Sequence, residues 1–353
     1  MWLIYIILAF VPILVKKWGY FIRIKNRLIY KNAETYTEIY PATHSLKILN
    51  YNIFLRSCGI SDDFKHGDYK NERLECFINK YIGYYDIVLL QECYNTLSFR
   101  CKYIIDRAKS LGFNYCVIPE NPSLLSKKII DSGLVILSKI PIVNTETHIF
   151  NNSCYIDSYA NKGFQYCELL LNGTSIHIIN THIQSDYSIS DNKANLVKLS
   201  QINQISEFIK NINQEDPIIL AGDLNCNSIY IQNNKPISYS YSGLYTDMLE
   251  ILNYTKYNDL LRLYNKTRIA TTYSVYKNEN EILSVNPASV KDLPYYYKTC
   301  HKKNIICLPR SVDYIFYNHN KALTFVSTQI KKIEYDNKPL SDHDAIETIF
   351  YIN

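Results

Sequence analysis

The chain has 353 residues, of which 47% are hydrophobic, so it can form one large domain or two ordinary ones. Its ten cysteines are irregularly spaced and include no Cys-X-X-Cys pair, which argues against a zinc knuckle and a disulfide framework. The formal net charge is +5, but residues 1–33 contain six positive charges and no acid, so the remaining chain carries about −1 and charge gives no reason to expect a nucleic-acid partner.

The chain opens with a hydrophobic segment, residues 1–22, that we interpret as a membrane anchor. Residues 2–15 carry no charge. A bilayer span needs about 20 residues, and Lys16 and Lys17 can snorkel so that residues 18–22 extend the segment into the interface. A cleaved signal segment is the alternative, although no basic residue precedes the run and no small-residue cleavage site follows it. Residues 23–45 form a basic connector.

The charge distribution around this segment predicts its topology. All six positive charges follow the hydrophobic run, which by the positive-inside rule places the rest of the chain in the cytosol. Cysteines without a framework fit a reducing compartment. A secreted or lumenal location is the alternative, because Asn151, Asn172, Asn253 and Asn265 each begin a glycosylation sequon.

From residue 46 onward, strand-like and helix-like patterns alternate. Apolar runs predict strands at 47–52, 86–92, 132–138, 165–171, 175–182, 218–223 and 310–316, and helical periodicity predicts helices at 71–82, 96–111 and 192–212. The Asn172-Gly173 pair predicts a tight hairpin between two of these strands. On the longest helix, the predicted buried face comprises Leu196, Leu199, Ile202, Ile205 and Ile209.

Three stretches lack such patterns. Residues 229–242 and 276–304 are polar and rich in tyrosine, and we predict surface loops there. Residues 318–340 read as a short polar connection. The mixture of hairpins and crossover helices predicts a four-layer α/β sandwich, in which two mixed β-sheets pack face to face with helices outside. We assign residues 46–353 to this single domain.

Polar residues stand where the apolar runs end. After the strand at 218–222 come Asp223 and Asn225, which as i and i+2 residues of an extended chain point to the same side. Alone, this sequence fits an Asx turn equally well. Other strand ends, however, carry the same kinds of side chain: Asn52, Glu92, His182, Asp313, Asp342 and His343.

The residue types indicate metal-assisted hydrolysis. Glu92 and Asn52 offer one anionic and one neutral oxygen, a sparse set that suits Mg²⁺. We expect one or two ions, with Mn²⁺ or Co²⁺ as substitutes. A histidine is the natural acceptor for the proton of an attacking water near neutral pH, and His343 is our candidate for this general base.

The order of these motifs (YN, QE, NTH, GDLN, VDYIF and SDH) resembles the endonuclease/exonuclease/phosphatase superfamily of metal-dependent phosphodiesterases, from residue 47 to the C-terminal end. The resemblance implies a DNase I-like fold. It implies that Asp313 orients the His343 ring and that His182 donates to a phosphate oxygen. It also implies that Asp223 and Asn225 position the nucleophile and the phosphoryl group, and that Asp342 lies close to the ion.

Within the superfamily, three stretches resemble the neutral sphingomyelinases. They are Lys162-Gly163 before a strand, Thr181-His182-Ile183-Gln184 after the next, and residues 131–139. The resemblance implies hydrolysis of sphingomyelin, or a related sphingolipid, to ceramide and phosphocholine by in-line attack of water. We interpret Lys162 as a mobile charge that reaches the substrate phosphate. The expected partner is lipid in a membrane, with no nucleic acid, and we expect a monomeric catalytic domain.

Two departures and two alternatives remain. Position 161 is asparagine where these enzymes have an aspartate before the lysine, which leaves the charge coupling of Lys162 open. The short connection at 318–340 leaves no room for the aromatic membrane-dipping hairpin of bacterial relatives. A nuclease of the DNase I-like or abasic-site type is the alternative within the superfamily. A catalytically inactive membrane-bound homologue that binds lipid or protein is the second.

Overall fold

The computed structural model describes residues 45–57, 70–123, 126–188, 191–232, 235–253, 256–264, 270–278, 281–283, 306–335 and 338–353. The anchor predicted at residues 1–22 and the connector predicted at 23–45 lie outside these residues, except for Ser45. Among the helices of these residues, none combines the length and the apolar character that crossing a bilayer requires.

Five helices and nineteen strands make up the described chain. The helices are α1 (Lys70–Lys80), α2 (Arg100–Lys109), α3 (Asn192–Lys210), α4 (Gly243–Ile251) and α5 (Leu260–Tyr264), with 3₁₀ turns at Ile82–Tyr84 and Tyr155–Tyr159. The strands are β1 (Ser45–Leu55), β2 (Ile87–Cys93), β3 (Tyr115–Val117), β4 (Val135–Ser138), β5 (Ile142–Ile149), β6 (Gly163–Leu171), β7 (Thr174–His182), β8 (Ile218–Asp223), β9 (Ile229–Gln232), β10 (Lys235–Tyr241), β11 (Asn258–Asp259), β12 (Thr272–Asn278), β13 (Glu281–Leu283), β14 (Ile306–Arg310), β15 (Asp313–Tyr317), β16 (Leu323–Lys331), β17 (Glu334–Tyr335), β18 (Lys338–Pro339) and β19 (Ala345–Ile352).

Two six-stranded mixed sheets form the centre of the molecule. The first sheet has the order β16-β19-β1-β2-β4-β3 and the second has the order β11-β15-β8-β7-β6-β5. Each contains one central parallel pair, β1 with β2 and β7 with β8, and its other neighbours are antiparallel. The α/β sandwich predicted from the sequence is thus confirmed.

The continuous apolar runs of the central strands follow from burial on both faces. In β8, Ile219 and Ala221 point between the two sheets, whereas Ile218 and Leu220 pack under α3 and α4. In β1, Ile48 faces the second sheet, and the opposite face of the strand packs under α1 and α2. The alternation of period two therefore supplies three buried layers, one between the sheets and one beneath each pair of helices.

Three segments that the sequence predicts to be loops contain strands. The loop predicted at 229–242 contains the antiparallel hairpin of β9 and β10, and β12 and β13 occupy the described part of the loop predicted at 276–304. Residues 318–340 are not a short connection, because they contain the nine-residue β16 and the small hairpin of β17 and β18. Pairing with β19 converts the polar β16 sequence into an edge strand, although its hydrophobic pattern is weak.

One helix face is also partly misassigned. Leu196, predicted to be buried, is 71% exposed, whereas Ile202, Ile205 and Ile209 are buried as predicted. Lys198 is fully buried because its ammonium group is paired with the carboxylate of Asp186. Hydrophobic periodicity does not predict a buried ion pair of this kind, because both of its residues are polar.

A glycine permits the close approach of the parallel pair β7 and β8. A Cβ at Gly222 would lie 2.0 Å from the carbonyl oxygen of Thr181, and its φ of +149° is one that side chains rarely allow. Gly222 directly precedes Asp223, so this contact fixes where the carboxylate leaves the strand.

We expect Gly222→Ala to lower the free energy of unfolding by about 2–4 kcal/mol, because the methyl group forces the two strands apart. Thermal and urea unfolding followed by circular dichroism would measure it. Gly243→Ala is the matched control, since a Cβ there meets nothing within 4 Å, and it should stay within about 1 kcal/mol of wild type. Equal stability of the two variants would refute the argument.

Candidate active site

The strand registers bring the polar residues of distant segments to one edge of the sandwich. His182 at the end of β7 lies opposite Asp223 at the end of β8, and Asp223 lies opposite Asp313 at the start of β15. Asn52 of β1 lies opposite Gln91 of β2 in the facing sheet. The parallel pairs thus present their carboxyl ends at the same edge, as expected for side chains that close apolar runs.

His343 is held by a carboxylate, as the motif order implies. Its Nδ1 lies 2.9 Å from Oδ2 of Asp313, and its backbone N–H donates to Oγ of Ser341. Burial by itself lowers the pKa of His343. The carboxylates of Asp313, Asp223 and Asp342 outweigh this effect and hold that pKa well above its ordinary value. The ring is therefore oriented with Nε2 directed away from Asp313.

Asp223 lies at the centre of the cluster. Its Oδ2 accepts a hydrogen bond from Nδ2 of Asn52 at 3.0 Å and lies 3.7 Å from Nε2 of His343 and 3.6 Å from Nε2 of His182. The last two distances exceed a hydrogen bond. Burial raises the pKa of Asp223 to about 6. Its other oxygen accepts from the backbone N–H of Asn225, which adopts a positive φ of 48°.

Glu92, Asn52 and Asp342 form an oxygen-rich group beside this centre. Nδ2 of Asn52 donates to Glu92 at 3.2 Å. The hydroxyl of Ser341 donates to the backbone carbonyl of Asn52 at 2.6 Å and lies 3.3 Å from Oδ1 of Asp342. Arg56 lies 3.4 Å from the second oxygen of Glu92. Burial raises the pKa of Asp342. Glu92 has a φ of 56°, a strained conformation for a side chain of this size.

The donor chemistry of this group fits a hard divalent cation. Carboxylate oxygens are ligands that Mg²⁺ prefers, and clustered carboxylates gain most from a neighbouring cation. Glu92 and Asp342 carry this fit, because the side-chain oxygen of Asn52 accepts from the backbone N–H of Phe54. Asp223, Asp313 and His343 also place three possible ligand atoms within 4.8 Å of one another. That set suits Mg²⁺ less well, because it includes an imidazole whose Nδ1 is engaged by Asp313.

Lys162 lies next to His182 without the freedom expected of a mobile charge. It is 4% exposed, and its Nζ lies 3.2 Å from Nε2 of His182. The ammonium group is also 2.7 Å from the carbonyl oxygen of Ile183 and 3.0 Å from Oγ of Ser185. Burial, and next the charge of Lys162, lower the pKa of His182 well below its ordinary value. Both effects disfavour the imidazolium form of His182.

Asp157 is a residue that the sequence reasoning missed. Its Oδ2 lies 3.2 Å from Nζ of Lys162 and accepts hydrogen bonds from the side chain of Gln184 and the backbone of Ser185. It therefore supplies the acidic partner that position 161 lacks. Asp157 lies in a 3₁₀ turn five residues before Lys162, outside any apolar run, so the strand-end pattern did not mark it.

The Lys162-Gly163 step also has a steric reason. A Cβ at Gly163 would lie 1.9 Å from the carbonyl oxygen of His148 on β5. Only glycine lets β6 approach β5 at this point, directly across from His182 in the register of β6 and β7. The glycine thus fixes the start of the strand from which Lys162 reaches His182.

Residues 51–343 match the model of the Endonuclease/Exonuclease/phosphatase family. The chain belongs to this family. Among curated relatives, a sphingomyelinase from Dictyostelium discoideum is 31% identical over 207 residues, which cover 51% of this chain and 44% of that protein. A sphingomyelinase C from Bacillus cereus is 28% identical over 210 residues, covering 56% and 61%. The chain thus matches less than two thirds of the length of either relative.

Two solved structures resemble the fold of this family member. SmcL superposes with a TM-score of 0.61 at 22% identity and covers 88% of this chain and 99% of its own. A beta toxin mutant from Staphylococcus aureus with bound magnesium ions gives a TM-score of 0.62 at 22% identity and covers 88% and 100%. At this identity the likeness is one of fold, and it confirms the DNase I-like architecture implied by the motif order.

We expect Glu92→Gln to weaken Mg²⁺ binding at least tenfold, because it removes a negative charge from the oxygen-rich group and leaves the fold unchanged. Isothermal titration of the two proteins with MgCl₂ measures the effect directly, independently of turnover. Glu75→Gln on α1 is the matched control, since this carboxylate is exposed and pairs with Arg107. Unchanged Mg²⁺ affinity in Glu92→Gln would refute the assignment of Glu92 to the ion.

Proposed function

We propose that the protein is a Mg²⁺-dependent phosphodiesterase that hydrolyses sphingomyelin, or a related sphingolipid, to ceramide and phosphocholine. The observation that carries the proposal is the pairing of His343 with Asp313 at 2.9 Å beside the buried carboxylate of Asp223. This arrangement provides a base for activating water. The choice of lipid is supported by relatives that are named sphingomyelinases and, in Staphylococcus aureus, phospholipase C.

The chain's own residues account for the proton transfers. In the neutral ring of His343, Asp313 accepts the Nδ1 proton, so the Nε2 lone pair can take a proton from a water molecule held by Asp223. The water oxygen attacks phosphorus in line with the bond to the ceramide oxygen, which breaks as the new P–O bond forms. The leaving ceramide oxygen takes a proton from solvent, and His343 releases to solvent the proton that it took from the attacking water, so that water and sphingomyelin balance ceramide and phosphocholine.

Two groups of residues stabilise negative charge on the phosphoryl group. A divalent cation held by Glu92, with Asn52 and Asp342 beside it, would neutralise a phosphoryl oxygen. One or two ions, and substitution of Mg²⁺ by Mn²⁺ or Co²⁺, are part of the proposal. On the other side, His182 is the donor to a non-bridging oxygen in the tautomer that carries its proton on Nε2. The three ammonium protons of Lys162 have other acceptors in Ile183, Ser185 and Asp157. Lys162 thus positions the ring of His182 instead of reaching the substrate itself. Asn225, two residues after Asp223, would position the phosphoryl group.

The lipid partner follows from the proposed substrate. We infer that the protein acts on lipid in a membrane, as a monomeric catalytic domain without a nucleic-acid partner. Tethering by residues 1–22 and a cytosolic location are part of the same proposal. A secreted or lumenal location is the alternative. Glycosylation would test it, because the sequon residues Asn151 and Asn172 are both exposed.

His343→Ala should lower kcat by about 10²–10⁴-fold, the contribution typical of a general base. Asp313→Asn should cost less, and it should move the acidic limb of the kcat/KM profile to lower pH. The sign follows because the Asp313 carboxylate raises the pKa of His343, and activity is lost as pH falls through that pKa. The profiles are recorded at one fixed Mg²⁺ concentration. An unshifted limb in Asp313→Asn would contradict the orienting role.

Substrate class is tested with the full chain in mixed micelles. We expect Mg²⁺-dependent release of phosphocholine from labelled sphingomyelin, with slower release from lysophosphatidylcholine and no nicking of plasmid DNA. Each substrate is assayed with MgCl₂ and with EDTA, and His343→Ala serves as the inactive control. Nicking of plasmid DNA at a rate above lipid hydrolysis would reverse the assignment in favour of a nuclease. Full activity in EDTA would overturn the metal requirement.

A further inference from the structure

We propose that an exposed apolar surface beside the active site contacts the lipid bilayer directly. We call it the Tyr155 surface, and it comprises Ile129, Tyr155, Ile156, Tyr159, Lys193 and Leu196. The inference rests on the proposed function, because only an enzyme whose substrate lies in a membrane needs such a contact close to its catalytic residues.

The centre of this surface is a short turn whose hydrophobic side chains are exposed. In the 3₁₀ turn Tyr155–Tyr159, Ile156 is 67% exposed, Tyr159 is 52% exposed and Tyr155 is 44% exposed. Tyr155 adopts a φ of 53°, a conformation that is costly for an aromatic residue. The strain is held by tertiary contacts, including a hydrogen bond from the Tyr155 hydroxyl to Asp191 at 3.1 Å. Backbone strain of this kind persists where the surrounding structure imposes it.

Two neighbouring segments extend the same surface. The backbone N–H of Ile129 donates to the carbonyl of Tyr159 at 2.7 Å, and the Ile129 side chain is exposed. On α3, Nζ of Lys193 lies 5.1 Å from the ring centroid of Tyr155. Leu196 follows Lys193 by three residues and therefore lies on the same helix face. This position accounts for the exposure of Leu196, which helical periodicity alone predicts to be buried.

The turn is connected to the catalytic residues through a single layer of side chains. Asp157, in the same turn, points inward and contacts Lys162 at 3.2 Å. Lys162 in turn lies 3.2 Å from Nε2 of His182. A bilayer in contact with Ile156 would consequently lie close to the residues that handle the phosphate, which is where the headgroup of a lipid substrate must arrive.

The composition of the surface fits lipid as its occupant. Tyrosine is enriched at membrane interfaces because its ring is apolar and its hydroxyl is polar, and isoleucine and leucine can enter the acyl region. An exposed lysine near the bilayer contributes about 1 kcal/mol of attraction to anionic lipid, and Lys127 and Lys193 are both exposed. The acids of these segments, Asp157 and Asp191, are buried, so their carboxylates do not repel the phosphate groups of a bilayer.

Bilayer contact can be measured at one residue of the full chain. Ile156→Trp and Tyr84→Trp are each reconstituted into phosphatidylcholine vesicles that carry brominated acyl chains, with EDTA present to stop turnover. Trp2 and Trp18 give the same background in the wild-type protein and both variants. Tyr84 is the matched control because it is 74% exposed but precedes β2, at the edge of the sheet opposite the site. We expect bromolipid quenching above background for Ile156→Trp and none for Tyr84→Trp.

The catalytic consequence is measured with two substrates. Ile156→Asp should lower kcat/KM for sphingomyelin in vesicles about tenfold, as expected for losing one inserted apolar side chain. Activity on a water-soluble p-nitrophenyl phosphodiester should stay at the wild-type value, since the side chain of Ile156 is 67% exposed. Tyr84→Asp should behave as wild type on both substrates.

These measurements separate the inference from the proposed function. Equal quenching of the two tryptophan variants would overturn the lipid contact even if the enzyme hydrolyses sphingomyelin. An equal loss of Ile156→Asp activity on vesicles and on the soluble diester would also overturn it, because the residue would then act on the site itself. Quenching at position 156 in a protein that releases no phosphocholine would sustain the contact while removing the proposed substrate.

Discussion

Hydrogen bonds of buried side-chain amides join the two sheets beneath the site, and the position of every catalytic side chain depends on this connection. Nε2 of Gln91 donates to Asn50 at 2.9 Å and to Asn180 at 2.7 Å, and Nδ2 of Asn180 donates to the carbonyls of Leu90 and Val135. All three amides are fully buried. Leaving one of these groups without its partner would cost about 1–3 kcal/mol, so the network defines one relative placement of the sheets.

This placement gives the edge of the sandwich its electrostatic character. Glu92 and Asn52 come from the first sheet and Asp223 and Asp313 from the second, so joining the sheets gathers several carboxylates in a water-poor space. Burial disfavours their charged forms, which is visible in the raised pKa of Asp223. A cation and the imidazolium form of His343 are the two ways to relieve this cost, and both belong to the chemistry proposed for the site.

The sequence predicts the sandwich, the strand ends and the residues of the cluster, because long apolar runs closed by polar side chains are a local signal. It does not predict contacts made by residues outside those runs. Asp157 lies in an irregular turn, and the buried Lys198 depends on Asp186, a partner that only the folded chain brings near. The β9–β10 hairpin and β16 were missed for a related reason, since their polar sequences become strands through pairing. Tertiary partners overrode local preference in each case.

The position of β19 has a consequence for how the protein is made. It lies between β1 and β16 in the first sheet, and it directly follows the turn that carries His343, yet about 290 residues separate Leu55 from Ala345. At about 5–20 residues per second, a ribosome needs roughly 15–60 s to synthesise that interval. For all of this time the backbone N–H and C=O groups of β1 that later pair with β19 lack their partners. Until β19 is synthesised, this edge is a template for pairing with another chain.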